Sequence, residues 1–319
     1  MTQTKGNSLH KAIFITFLLT GLSAPSLADN TEEKCLSKPE DDKVISRAYH
    51  YLNTKFCQPA VWFDDFFADE RVTEDARAGT SIRWKNDFTQ FENDGFKYDT
   101  RIDAKFNLPK VTNRLKLIIE SDGEDDLFDL FPRNAEEIEN SIGLRYDIYA
   151  KGYSSFNIKA TFKPKIEARY RFTYPLGINT VSRITQKLYQ ESELTGESTQ
   201  FDIDQALSKN FLLRWTSFAE FNRDHADDTS IWEFGTGFVL YQYISRTQAL
   251  NYTISTTGTD YPRSFIDNTL IGMTYRQNVF FEWFYYELTP EYNWYREYDQ
   301  GFEEEASIRL RLEIRFENF

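Results

Sequence analysis

Residues 156–174 read FNIKATFKPKIEARYRFTY. The even positions (Phe156, Ile158, Ala160, Phe162, Ile166, Ala168, Tyr170, Phe172, Tyr174) are apolar or aromatic, interrupted by Pro164 alone. The odd ones are polar and mostly cationic: Lys159, Lys163, Lys165, Arg169 and Arg171, with Asn157, Thr161, Glu167 and Thr173 between them. A period of two puts successive side chains on opposite faces of a strand, so this stretch presents one apolar and one cationic face. The phase holds across Lys163-Pro164-Lys165, whereas a two-residue hairpin would invert it. Pro164 also removes a ladder donor. A three-residue turn there gives fourteen strands over the chain; a bent strand running through Pro164 gives twelve, and the proline favours the turn.

Outward from this stretch the same period recurs from about residue 78 to the end. Phe96, Tyr98, Ile102, Ala104, Phe106 and Leu108 alternate with Lys97, Asp99, Arg101, Asp103 and Lys105; Leu115, Leu117 and Ile119 alternate with Arg114, Lys116 and Glu120. Ile142, Leu144, Tyr146 and Ile148 follow, then runs such as WEFGTGFVLYQY and FFEWFYYEL, and finally SIRLRLEIRF at 307–316. Connections alternate in kind. Short ones (PLGIN, LSKN, ISRT, RQN) fall between longer acidic ones (DGEDDLFDLFPRNAEEIE, ELTGES, RDHADDT, TGTDYPRSF, REYDQGFEEE). Alternating segments of about ten residues with short turns at one end and long loops at the other are the signature of a transmembrane antiparallel β-barrel. A soluble sandwich also alternates. Here, however, each strand carries four or five large apolar residues, more than one small core holds, and an outward lipid-facing side accounts for the surplus. Tyr170, Tyr174, Trp215, Tyr285, Tyr292 and Trp294, near strand ends, are expected at the two membrane interfaces.

Composition agrees. Of the 319 residues 17 % are aromatic, with 28 Phe and 19 Tyr, and mean hydropathy is −0.58. Lys5 and Lys11 precede the apolar run AIFITFLLTGLSA, and small residues up to Ala28 offer a cleavage site before Asp29. The run is too short to span a bilayer, which takes about 20 residues, so residues 1–28 read as a secretory signal peptide. Its removal takes the formal charge from −13 to −15. That balance sets nucleic acid aside as a partner, since phosphate binding needs a basic surface. Residues 29–77 read as a helical preface, with Val44, Ile45, Ala48, Leu52 and Phe56 at helical spacing, followed by VWFDDFF. Cys35 and Cys57 are expected to pair in an oxidising compartment, because two cysteines without nearby histidine do not make a zinc site. The preface is then a disulfide-clipped unit, either periplasmic or a plug for the lumen, ahead of a barrel spanning 78–319.

The last strand SIRLRLEIRF resembles the alternating, aromatic-ended strand of Gram-negative outer-membrane barrels, although ENF follows and Phe319 is out of phase with Phe316. With VWFDDFF and LTPEYNW it is similar to a porin-like group of such barrels that has no assigned activity. The resemblance implies an outer-membrane fold, contact with lipid and lipopolysaccharide, and insertion by the barrel-assembly machinery; it implies no catalytic residues.

On the polar faces stand Lys97, Arg101, Lys105, Arg114, Lys116, Arg145, Lys159, Lys163, Lys165, Arg169, Arg171, Arg309, Arg311 and Arg315. Against them are Asp99, Asp103, Glu120, Asp147, Glu167, Glu313 and Glu317. Cations outnumber anions two to one inside an acidic protein, which suits a passive channel for small anionic solutes. Alternating signs also knit the interior of a closed structural barrel, so a non-conducting scaffold or assembly partner is the second expectation. A hydrolase would need His225, flanked by Asp224 and Asp227 in an outer loop; a lone loop histidine is ordinarily solvated. The acids around Asp122–Asp129 miss the EF-hand spacing. No metal or cofactor is expected. Oligomeric state is not legible.

Overall fold

The computed structural model describes residues 80–107, 115–120, 141–151 and 153–318 except 163 and 178, together with Phe63, Phe66, Leu130 and Phe131. Fourteen strands follow one another: β1 (Thr80–Phe91), β2 (Gly95–Asn107), β3 (Leu115–Glu120), β4 (Ser141–Lys151), β5 (Ser154–Thr161), β6 (Ile166–Pro175), β7 (Thr180–Gln190), β8 (Leu194–Ala206), β9 (Phe211–Asp224), β10 (Thr229–Ser245), β11 (Gln248–Thr259), β12 (Phe265–Asn278), β13 (Phe284–Tyr295) and β14 (Glu303–Asn318). Each pairs antiparallel with its sequence neighbours, and β14 closes on β1. Closure leaves no unpaired strand edge, which is the condition for a sheet to cross hydrocarbon.

The Pro164 joint is a turn. Ala160 opposes Ile166, and the Thr161 N–H donates to the Lys165 carbonyl at 3.0 Å. Opposed residues of like parity face the same side, so the apolar phase crosses the turn unbroken and the count is fourteen rather than twelve. Pro164 lies outside the ladder, where its missing N–H costs nothing.

The outward face carries a broad apolar belt: Trp84, Ile102, Leu144, Ile158, Ile184, Phe238, Ile254 and Leu310 are all exposed. In water such a surface would be a large liability; in a bilayer it is the required solvent contact. Aromatic rings gather at both rims. At the short-turn end Phe281 stacks on Trp283 (4.8 Å) and Trp283 on Phe316 (5.6 Å). At the long-loop end Phe221 meets Trp232 (5.1 Å) and Tyr292 meets Trp294 (4.6 Å).

Two sequence expectations need correction. Tyr285 opposes the buried Glu313 and so turns inward, meeting Phe66 edge-on at 5.9 Å rather than joining an interface ring. The inner face is also not polar throughout. Leu212, Phe218, Val239, Tyr241 and Ala249 point into the barrel from β9, β10 and β11, and four side chains from outside the strands pack on them: Phe63, Phe66, Leu130 and Phe131. The runs FLLRW and FVLYQY, apolar at consecutive positions, are the trace of strands greasy on both faces. The expected signal peptide, the preface apart from Phe63 and Phe66, and Cys35 and Cys57 lie outside the described residues.

Candidate functional site: two walls of the lumen

The inner surface divides into two walls that differ in chemistry. On the first, Arg145 of β4, Lys159 of β5, Arg169 of β6 and Arg183 of β7 are buried, and Arg171 and Lys187 stand beside them half-buried. On β5 to β7 the one inward acid is Glu167. Polar groups are interleaved: Arg171 Nε donates to Thr185 Oγ1 and Arg183 Nε to Thr173 Oγ1, each at 3.4 Å. With its amide oriented to accept, Asn157 takes bonds from Arg169 at 2.9 and 3.2 Å. Toward β3 the cations meet acid again, Lys116 and Arg145 both closing on Asp147 at 3.0 and 3.1 Å.

Around the β14–β1 closure the same wall becomes a chain of ion pairs. Arg311 grips Asp87 with two bonds (Nε–Oδ1 2.6 Å, Nη2–Oδ2 3.0 Å) across the joint of last and first strands, and Arg101 reaches the same carboxylate at 2.5 Å. Arg311 continues to Glu287 at 3.4 Å, Glu287 to Arg276, and Arg276 to Glu313 at 2.7 Å. The path crosses β2, β1, β14, β13 and β12 without leaving the inner face. Paired forks of this kind are the strong class of ion pair, because they satisfy geometry and charge together.

The second wall, on β9 to β11, is apolar and covered. Phe63 and Phe66 each carry helical backbone. Phe63 lies 5.2 Å from Tyr241 and Phe66 against Tyr285. Leu130 and Phe131 enter from the connection between β3 and β4. The Leu130 carbonyl accepts from Ser255 Oγ, and Phe131 meets Phe218 at 5.0 Å. Glycines make room: a Cβ on Gly237 would come within 3.0 Å of the Leu130 side chain, and one on Gly235 within 2.4 Å of the Phe218 ring. Two arginines mark the border, Arg214 over Tyr241 at 5.5 Å and Arg276 over Tyr285 at 4.3 Å. Arg214 is held by Asp204 at 2.6 and 3.0 Å.

Of the basic residues singled out from sequence, Lys116, Arg145, Lys159, Arg169, Arg311 and Arg315 are buried on the inner face; Arg101, Lys105, Arg171 and Arg309 are partly buried there and Lys97 is more open. Arg114 and Lys163 lie outside the described residues. Lys165 sits in the β5–β6 turn, bonded to Glu191 at 2.8 Å and poised over Tyr189. Sequence reasoning passed over Arg83, Lys85, Arg183, Lys187, Arg214 and Arg276, which also face inward. Parity would have found them. Their strands mix Thr, Gln and Asn with the charges, which blurs the alternation. His225 is exposed in the β9–β10 turn, its Nε2 at 2.8 Å from Thr195 Oγ1, while Asp224 accepts from the backbone N–H groups of Ala226 and Asp227. The neighbouring carboxylate is thus committed to the turn and does not orient the imidazole. Among the described residues no three His, Cys, Asp or Glu side chains converge as metal ligands.

No protein-family model matches the chain, and no curated protein matches it. Among solved structures it is similar to a loop-deleted form of OmpT, an outer membrane protein of Vibrio cholerae. The TM-score is 0.51 at 8 % identity, covering 75 % of this chain and 100 % of that one. An anion-selective porin from Comamonas acidovorans gives 0.48 at 8 % identity, over 75 % and 98 %. The first of these likenesses shows the fold. Closed barrel, exposed apolar belt and charged interior together place the chain in the Gram-negative outer membrane as a fourteen-stranded β-barrel.

Proposed function

We propose that the barrel is a passive channel for small anionic solutes, with its path along the inner face of β4 to β7. The observation that carries this is the composition of that wall, where Arg145, Lys159, Arg169, Arg171, Arg183 and Lys187 stand against Asp147 and Glu167. Cations held in a confined, low-dielectric passage concentrate anions and repel cations. The covered apolar wall, one strand away across β8, supports the same path, since Phe63, Phe66, Leu130 and Phe131 take up the space over β9 to β11.

The test is conductance of the full-length protein in planar bilayers under a potassium chloride gradient. Single-channel steps with a reversal potential on the chloride side are expected. Arg171→Glu with Lys187→Glu, both at half-buried positions, should move that potential toward potassium. Steps indifferent to this double reversal would remove the assigned path.

The same four inserted side chains favour one other reading, a closed barrel serving as a scaffold. On that reading the wild type gives no steps, and a Leu130→Ser, Phe131→Ser variant gives none either.

A further inference from the structure

The structure assigns a divalent-cation site, of the calcium class, to the long-loop mouth of the lumen beside the β14–β1 closure, with Glu305, Asn293 and Ser307 as its oxygen donors. Glu305 and Asn293 are direct cross-strand partners on β14 and β13, so their Cβ atoms lie about 5 Å apart. Ser307 is the next residue of β14 on the same face, opposing Glu291 on one side and Phe91 on the other. Glu305 and Ser307 are each only 8 % exposed. Glu305 Oε1, Asn293 Oδ1 and Ser307 Oγ are all shut off from solvent without a hydrogen-bond partner. A buried acceptor left unsatisfied costs about 1–3 kcal/mol, and more when charged. Three on adjacent positions of one inner face are what a hard cation takes as ligands: a carboxylate, an amide oxygen and a hydroxyl.

The surroundings select a cation over a neutral donor. The β1–β2 turn, which carries Glu92 and Asp94, is pinned against β14 by Glu92 N–H to the Ala306 carbonyl (2.9 Å) and Asn93 Nδ2 to the Glu304 carbonyl (3.1 Å). Nearby acids are already engaged: Glu304 accepts from the Tyr292 hydroxyl at 2.6 Å, and Glu291 from Arg309 at 3.2 Å. Glu305 takes one backbone N–H, that of Asp94, and keeps Oε1 unpaired. Water would keep several places in the coordination sphere, as six to eight oxygens are usual for calcium. A cation there ties β13 to β14 beside the β1–β2 turn, at the place where the first and last strands meet.

The experiment uses full-length protein, refolded in detergent and stripped with chelator, titrated with calcium chloride in a calorimeter. A parallel series follows unfolding temperature by the gel-mobility shift of the heated barrel. One saturable calcium per chain is expected, with a rise in unfolding temperature. Glu305→Gln should weaken binding by about tenfold or more, and Ser307→Ala by less. Asp299→Asn, in the exposed β13–β14 loop, should bind like wild type. Absence of saturable binding by the folded wild type overturns the site. Equal binding by Glu305→Gln does so too, and covers the case in which calcium sits among the exposed loop acids instead.

Discussion

The wall on β12 to β2 and the wall on β9 to β11 solve one problem by opposite means. Both are inner faces of a cylinder and both hide side chains from water. The first does so by mutual neutralisation, in the run Arg101, Asp87, Arg311, Glu287, Arg276, Glu313. The second does so by importing cover, with Phe63, Phe66, Leu130 and Phe131 laid over Leu212, Phe218, Val239 and Tyr241. The difference teaches that lumen polarity and lumen solvation are separate properties. A charged inner wall can stand alone in water or in its own network, but an apolar one costs about 25 cal/mol for each Å² left wet, so it recruits chain from outside the sheet. The inserted elements are accordingly part of the barrel's stability as well as of its shape.

The largest expected effect is on the charged wall. Arg276→Ala leaves Glu287 and Glu313 buried side by side with their shared cation gone, and should cost about 3–5 kcal/mol. The drop would appear in the unfolding temperature of the detergent-solubilised barrel. If the network is stabilised by balance rather than by any single pair, Arg276→Met combined with Glu287→Gln and Glu313→Gln should recover most of the loss. On the apolar wall no such recovery exists. Phe131→Ala removes the ring against Phe218 and should cost about 3 kcal/mol, and in bilayers it should widen the passage, seen as larger unitary current. A stability loss of the same size without any change in current would mean that Phe131 packs clear of the conducting path.

Much of this was legible beforehand, and the gaps have physical causes. Period two over SIRLRLEIRF and over 156–174 reports a face in contact with lipid, because the outward positions there are apolar and the signal is broken only at Pro164. The turn at Pro164 followed from phase and a missing donor. The covered wall was harder to read because apolar residues on both faces erase the alternation, so that FVLYQY reads as outward grease alone. Nothing in the string LFDLF marks Leu130 and Phe131 as inward-bound; their destination depends on distant residues, with Gly237 leaving space for Leu130 and Gly235 for the Phe218 ring that Phe131 meets. Individual lumen cations fell between. Arg145 and Arg169 stood out in clean strands, whereas Arg214 and Arg276 were lost in strands whose inner faces mix Leu, Thr and Asn with charge.

A gentler way to sharpen the contrast is to disturb the seat and leave the plug intact. Gly237→Val would place methyl groups against the Leu130 side chain and Ser255, within the 3.0 Å approach already present for a first carbon. Crowding of this kind costs about 1–3 kcal/mol. The Leu130 loop is expected to lift, giving easier proteolysis at the β3–β4 connection while the charged wall keeps its unfolding behaviour. Uniform destabilisation with an unchanged cleavage pattern would show that the backbone at β10 gives way before the loop does.

The smallest effect is expected where the walls join. Tyr189 of β7 arches over Gly196 of β8, where a Cβ would meet its ring at 2.3 Å, and sets its hydroxyl against Glu220 at 2.6 Å and against Asn222, both on β9. A single aromatic thus bridges the cationic strands to the apolar ones across an intervening strand, with Lys165 over its ring at 4.9 Å. Tyr189→Phe keeps the ring, its place over the glycine and the contact with the ammonium, and removes only the hydroxyl. The loss should be about 1 kcal/mol, near the value of one hydrogen bond with a charged acceptor in a partly wet site. Gly196→Ala, which evicts the ring itself, should cost more. Should the two substitutions prove equally costly, the hydroxyl and not the arch would be what couples the walls, and Glu220 would then have to be counted with the charged network.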